Sequence, residues 1–537
     1  MTSRSTTRAL SSLGATLALA LGAAAFAPSP AAACGGFFCD NSQPVNQQAE
    51  RIIFAREDDG SVTAVIQIQY QGPSERFAWM LPVAGSPEIA VSSDAAFQRL
   101  QQASNPVYRL NNRVEGTCAG GARSAADFGS AGGADAGVAV EDAGAPPVSV
   151  VDQGFVGPYD YVIIDVDPEA EDQVAVAITW LQDNGYDVPD MGSDVLRPYL
   201  ESGMNLLAFR LTKGNDSGAV RPVRLSFGPG LPSIPLRPTA VATEPDLGIL
   251  VWVLGDSRAI PANYRSLELN EALIDWLAPG PTYDEVVTRA ANEAMGQGFV
   301  TEMAGAAAPL GEVIWREDEA RGWAELQGES WDGREGELLL QVSRFSQLDG
   351  MREALEAHVT VPDGLTEDEF FGCLGCYVER TDAEVPGLDP AALLADVQTD
   401  VIDPMVETQA LFERNAYATR LYTTMSAHEM TLDPIFDFNP SLPDVSNVHE
   451  ADRVIECSPS ISQFEAPWRV ELANGDVIRG EGNTWPFAPD TDAMPAAARI
   501  SRVGTSGDGE VLEDHTSAIA EALSEHNEGV PGPTADA

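Results

Sequence analysis

Cys373-Leu374-Gly375-Cys376 is the pair of residues best spaced to do chemistry. Two thiols in this arrangement exchange disulfides when a helix N-terminus lowers one thiol pKa. Here Thr366-Glu367-Asp368-Glu369 is a capping-box pattern, which starts a helix before the cysteines. The activating end of the dipole then lies upstream of the pair, and a structural disulfide is the expectation. Zinc would need two further ligands at short spacing. His428-Glu429 and His449-Glu450 begin as a zinc-protease helix does, but Leu432 and Arg453 stand where the second histidine belongs. Gly255-Asp256-Ser257-Arg258-Ala259 follows an apolar run as a nucleophile elbow would, with Ala259 in place of the closing glycine. An ordinary turn is the expected setting of Ser257. Asp165-Val166-Asp167-Pro168-Glu169 and Glu57-Asp58-Asp59 offer hard oxygens suited to weak Ca2+ sites, without the full twelve-residue loop pattern. No residue is therefore assigned a catalytic, cofactor-binding or metal-ligating role, and weak Ca2+ binding is the one cofactor left open.

The elements that must position such groups read as α+β. Ile52-Ile53-Phe54-Ala55 and the alternation of Val62, Ala64, Ile66, Ile68 and Tyr70 are strands joined through Asp58-Asp59-Gly60. Phe77 to Val83, Tyr161 to Val166, Asn205 to Leu211, Val220 to Phe227, Ile234 to Ala242 and Leu247 to Leu254 are further strands. Val174 to Gln182 has helical spacing and ends at Asn184-Gly185; Thr282 to Ala304 is a second helix. The strands are mixed or antiparallel, because regular β-α-β alternation is missing. A more helical unit follows, with a strand at Leu338 to Val342, a helical start at Asp389-Pro390 running to about Tyr422, and a hairpin over Trp468 to Ile478 turning at Asn474-Gly475.

Composition sets the partners. Against 31 Lys+Arg stand 82 Asp+Glu, a formal charge of −51, and only Lys213 among the bases is lysine. Such a surface repels phosphate backbones, which excludes nucleic acid as a partner. Arg4 and Arg8, the apolar run Ala9 to Ala27 and Ala31-Ala32-Ala33 form a secretory signal, with cleavage expected before Cys34. A lipid-modified Cys34 is the alternative. No later stretch is long and apolar enough for a membrane helix. Export favours disulfides among Cys34, Cys39, Cys118, Cys373, Cys376 and Cys457. Proximity along the chain pairs Cys34 with Cys39 and Cys373 with Cys376; elimination leaves Cys118 with Cys457. The expected organisation is a signal peptide over 1–33 and an N-terminal α+β domain over 34–310, carrying a flexible Ala/Gly/Asp-rich insert at 119–150. A second α+β unit covers 311–504, and an acidic mobile tail, with one short helix around Ala518 to Leu523, covers 505–537.

The start Ala33-Cys34-Gly35-Gly36-Phe37-Phe38-Cys39, with Pro44-Val45 and Gln47-x-Ala49-Glu50-Arg51-Ile52, resembles the mature N-terminus of a family of exported bacterial proteins catalogued as a domain of unknown function. Val156-Gly157-Pro158-Tyr159-Asp160, Trp180-Leu181-x-x-Asn184-Gly185-Tyr186, Ile234-Pro235-Leu236-Arg237 through Asn263-Tyr264, Phe299-x-Thr301-Glu302 and Glu429-Met430-Thr431-x-Asp433-Pro434 are similar to it as well. The resemblance covers most of the chain outside the insert and the tail. It implies an envelope or extracellular setting and supplies no reaction, ligand or catalytic residue. The expectation is a non-enzymatic binding or structural module, periplasmic, envelope-bound or extracellular, with a protein or envelope partner that the sequence does not name. The alternative is a secreted hydrolase using Ser257 or a carboxylate pair.

Overall fold

The computed structural model describes residues 46–71, 78–118, 148–185, 192–211, 217–219, 221–241, 243–378, 385, 387–489 and 494–530. The fold is α+β, and its frame is one mixed eleven-stranded sheet. Its path runs Glu510–Asp514, Ala497–Arg502, Arg265–Leu269, Gly298–Ala306, Tyr417–Met425, Thr243–Gly255, Asn46–Arg56, Ser61–Gln71, Val223–Pro229 and Glu88–Val91, with Ser217–Ala219 beside Ser61–Gln71. Asn46–Arg56 is parallel to Thr243–Gly255 and antiparallel to Ser61–Gln71. Strands from 34–310 and from 311–504 thus lie side by side in one sheet.

Alternation along the strands decides what covers each face. Ile53, Ala55, Val65, Leu250, Trp252 and Leu254 point to one side. There they meet the helix Asp94–Ser104 and a block of short helices between Ala308 and Arg414. Ile52, Phe54, Ala64, Ile66, Ile249 and Val251 point to the other. On that side Trp79, Ile163, Leu207 and Phe209 come from a four-stranded sheet ordered Ala78–Val83, Asn205–Leu211, Tyr159–Val166, Val148–Val156. The outer face of that smaller sheet is covered by helices Gln173–Asp183 and Gly192–Glu201. At the far end of the large sheet, the helix Pro279–Glu293 and a second four-stranded sheet close a third core around Val286, Trp468 and Ile500. That sheet is ordered Val477–Glu481, Pro467–Leu472, Val448–Cys457, Val107–Gly116.

Local signals held where the chain obeys them unaided. Thr366 and Glu369 form both bonds of the capping box ahead of Glu367–Gly372. Asp389 caps Pro390–Val397 through the amides of Ala391 and Ala392. The hairpin turns at Gly475 with φ +93°. Elsewhere tertiary context wins. The segment expected as a strand over Ile234 to Ala242 contains the short helix Leu236–Thr239, whose first amides bond the Asp433 carboxylate. The expected helix from Thr282 to Ala304 stops at Glu293. Met295 and Gly296 take positive φ, and Gly298–Ala306 enters the large sheet as a strand. Leu338 to Val342 lies in the helix Glu335–Val342, because Leu338, Leu339 and Val342 face the core at helical spacing. The helical stretch expected to reach Tyr422 ends at Arg414, and Tyr417–Met425 is a central strand. In the acidic tail, Glu510–Asp514 joins the large sheet and Thr516–Gly529 buries Ile519 and Leu523. Of the expected insert, residues 119–147 lie outside the described residues, as does the signal segment. Val148 to Val150 open a strand.

The charge has a consequence for stability. Exposed ion pairs contribute about 0–1 kcal/mol each, whereas 82 acids against 31 bases leave a net −51 repelling itself. Raising NaCl from about 0.1 to 1 M shortens the screening length from about 10 Å to about 3 Å and weakens both effects. Repulsion is the larger here, so the thermal midpoint should rise by at least about 2 °C, the shift about 1 kcal/mol gives a mid-sized domain. Scanning calorimetry across that salt range checks this; a falling midpoint would mean that surface pairs outweigh the net charge.

Candidate functional site

The site starts from a break in strand pairing. Between Gly298–Ala306 and Tyr417–Met425 the register runs Thr301 to Leu421 and then Met303 to Arg420, so Glu302 is the extra residue of a bulge. Bulges re-aim a side chain out of the ladder. The Glu302 carboxylate accepts from Arg420 Nε and, at 2.5 Å, from the Tyr283 hydroxyl. Glu302 is 3% exposed and Arg420 4%. The guanidinium also donates to Ser104 Oγ at 2.9 Å and lies 5.6 Å from the ring of Trp252, its cross-strand neighbour. Trp252 Nε1 donates to the same Ser104 oxygen. A charged pair is thus held between sheet and helix, with Tyr283 bonding the carboxylate and Ser104 the guanidinium.

Beside this pair a cavity of about 570 Å3 opens, lined in part by the helices Asp94–Ser104 and Pro279–Glu293. Arg51, Gln101, Tyr108, Tyr283, Asp284 and Tyr422 stand around it with Glu302 and Arg420. Arg51 donates to Asp94 Oδ1 and Gln101 Oε1, both at 3.0 Å. Gly248 lets Tyr422 approach, since a Cβ there would lie 3.1 Å from the phenolic oxygen. Loss of solvent raises the pKa values of Tyr108, Tyr283 and Tyr422, and neighbouring carboxylates raise them further, so these phenols stay protonated. Desolvation also raises the Asp284 pKa, opposed by the Tyr422 hydrogen bond and by Arg420. Tyr108, Tyr283 and Glu302 also line a neighbouring cavity of about 600 Å3. There His449 Nδ1 lies 2.7 Å from Glu271 Oε1 and the imidazole stacks 4.6 Å from Tyr108.

The residues singled out by spacing lie elsewhere. Cys373 and Cys376 are bonded to each other at an exposed break between the helices Glu367–Gly372 and Leu374–Tyr377. Cys118 is bonded to Cys457. Cys34 and Cys39 lie outside the described residues. Ser257 sits in a bend after Thr243–Gly255, and among the described residues no histidine hydrogen-bonds to it. Of the oxygens weighed for Ca2+, Asp59 accepts from the Ser61 amide, Asp167 from the Glu169 amide, and Glu57 pairs with Arg414. Among the described residues no three of His, Cys, Asp and Glu converge to hold a metal ion. His428 is exposed on a turn, and His358 pairs with Asp396 at 2.7 Å.

Three of the stretches expected to carry the family resemblance, Ile234 through Tyr264, Phe299 to Glu302 and Glu429 to Pro434, meet in the fold. Asp433 accepts from Tyr199 at 2.7 Å and from the Leu236 amide at 3.0 Å. Asn263 donates to the Asp433 carbonyl and accepts from the Ile435 amide. Tyr264 donates to the Leu432 carbonyl, and its ring meets Phe299 at 5.6 Å. Burial raises the Asp433 pKa, offset by its hydrogen bonds. This junction is packed and its polar groups are paired, which suits a structural role. From the junction strand Glu302 turns into the cavity, where Arg51, Gly248 and Leu250 from other stretches of the resemblance also stand. Nothing in its type separated it in the sequence from the other acids; the signal available was its place in Phe299-x-Thr301-Glu302.

No curated protein and no solved structure matches the chain. Residues 28–337, more than half of the 537, match a family described as an uncharacterized protein conserved in bacteria (DUF2330), and the chain belongs to that family.

Proposed function

We propose that this is an exported protein of the bacterial envelope, a non-enzymatic binding module that takes a small molecule in the cavity over Glu302 and Arg420. The observation that carries the reading is the buried pair itself. Taking two charges out of water costs several kcal/mol per ion, and apolar residues of similar volume would stabilise the sheet as well or better. Placed beneath an open cavity, the pair instead presents a fixed floor of donors and acceptors. The cavity volume falls within the roughly 300–1,000 Å3 of small-molecule sites. Export is supported by the basic start, apolar run and small residues before Cys34, and by the Cys118–Cys457 bond, which persists in oxidising compartments. Among the described residues no helix is long and apolar enough to cross a membrane.

Gly280 gives the test. It lines the cavity, and a Cβ built on it meets nothing within 4 Å. Gly280→Trp should therefore fill the mouth without disturbing the fold. Native mass spectrometry of the chain from residue 34, after exposure to a low-molecular-mass extract of bacterial envelope, should show a small-molecule adduct. Gly280→Trp should lose that adduct at an unchanged thermal midpoint. No adduct on the parent protein, or one indifferent to Gly280→Trp, would refute the reading.

A further inference from the structure

We infer that the outer edge of the strand Val107–Gly116 is a dimer interface, where a second copy of this chain pairs with it antiparallel about a two-fold axis at Asn112. This stands apart from the ligand reading. Among the described residues no strand lies on the outer side of Val107–Gly116. The Val107 amide donates to the Asn447 carbonyl, and the register with Val448–Cys457 runs from Val107 to Gly116 without a slip. Backbone groups alternate in direction along a strand, so those of Tyr108, Leu110, Asn112 and Val114 face outward. A long edge with its N–H and C=O groups open is a template for another strand.

Placing Asn112 opposite its own copy sets Leu110 opposite Val114, so outward-facing groups meet outward-facing groups and exchange backbone bonds. The side chains agree with that register. Arg109 falls opposite Glu115 of the second copy, at both ends by symmetry, and Leu110 comes to cover Val114, which is 47% exposed. Moving the axis to Asn111 would set Arg109 against Arg113, and moving it to Arg113 would set that arginine against itself, so charge selects Asn112. Within the chain these groups are held loosely. Arg109 reaches Glu450 only at 4.0 Å and Arg113 reaches Glu115 at 3.6 Å, between exposed side chains. The strand carries two arginines against one glutamate in a chain of −51. By contrast Glu510–Asp514, the outer strand of the large sheet, holds three acids and no base and would repel its own copy.

Sedimentation velocity on the chain from residue 34 tests this, at about 0.15 M NaCl, where repulsion between the acidic surfaces is screened beyond about 8 Å. A reversible dimer should form in the micromolar range, since a single strand pairing is a small interface. Asn112→Pro removes an outward amide and no bond to Val448–Cys457, so it should leave a monomer with an unchanged circular dichroism spectrum. Arg109→Glu and Glu115→Arg each put like charges opposite and should each weaken the dimer by about tenfold or more. Glu115 also accepts from Arg469 at 3.2 Å, a surface pair whose loss costs the fold little. An equimolar mixture of the two charge variants again sets unlike charges opposite at both ends and should recover a mixed dimer near the parent affinity. That recovery separates the interface from any damage to folding. A monomer at every concentration, a dimer indifferent to Asn112→Pro, or a mixture no tighter than its components would each overturn the inference. A monomer whose Leu110, Asn112 and Val114 amides exchange slowly would overturn the second copy and give the edge to another segment of this chain.

Discussion

Arg420→Ala is expected to destabilise the protein by about 3–5 kcal/mol, the cost of removing one partner from a buried ion pair. The loss is larger than the pair's own net contribution. Glu302 is 3% exposed, and with the guanidinium gone its carboxylate keeps only the Tyr283 hydroxyl among the groups that bond it now. Ser104 and Trp252 lose a shared neighbour at the same time. Equilibrium denaturation in urea reads the effect as a lower midpoint at unchanged slope. The double substitution Glu302→Leu with Arg420→Met separates the ion pair from simple packing. It removes both charges at similar volume and should recover most of the stability, as apolar replacements of buried pairs do. It should still bind no ligand. A cost below about 1 kcal/mol for Arg420→Ala would be the size of an exposed pair and would mean that water reaches the cavity floor.

The contrast between the frame and this site shows what sequence can carry. Asn46–Arg56 and Ser61–Gln71 were legible because alternation is a local property: Ile52 and Phe54 face one core, Ile53 and Ala55 the other. Caps at Thr366 and Asp389 were legible for the same reason. Glu302 was not, since its role comes from a one-residue slip against a strand more than a hundred residues away. The N-cap pattern of Thr282 with Glu285 led the stretch to be expected as one long helix, which carried Glu302 along with it. Arg420 was hidden in the same way, beyond the end of a helix that stops at Arg414. Nor does spacing bring Arg51, Tyr108, Tyr283 and Tyr422 together. The parallel pairing of Arg51 with Leu250 and the antiparallel pairing of Leu250 with Tyr422 join the first and last, and Tyr283 arrives on the helix Pro279–Glu293 and Tyr108 on the strand Val107–Gly116. The Cys373–Cys376 spacing, by contrast, drew the eye to a pair that does not line this cavity and sits in the fold's helical block, with Leu374 in its core.

Removing the Cys118–Cys457 bond should cost about 5 kcal/mol, the upper end for a single disulfide, whereas removing Cys373–Cys376 should cost about 2 kcal/mol. The difference follows from loop length. The first bond joins residues 339 apart and the second residues 3 apart, so the first withdraws far more freedom from the unfolded chain. The native state adds a local reason. Cys457 ends the strand Val448–Cys457 and pairs with Gly116, where φ is +83° and a Cβ would meet the Cys457 carbonyl oxygen at 2.3 Å. Val107–Gly116 is an edge strand, exposed along nearly all its length. Its backbone ladder to Val448–Cys457, the bond at its end and the packing of Tyr108 and Leu110 on the third core hold it. Tyr108, near the start of that strand, is a wall of both cavities. Cys118→Ser with Cys457→Ser should therefore lower the denaturation midpoint more than Cys373→Ser with Cys376→Ser. It should also speed amide hydrogen exchange over 107–116, which the second pair of substitutions should leave unchanged. Equal losses for the two pairs would set aside the loop-entropy account, and unchanged exchange over 107–116 would show that the ladder alone secures the wall at Tyr108.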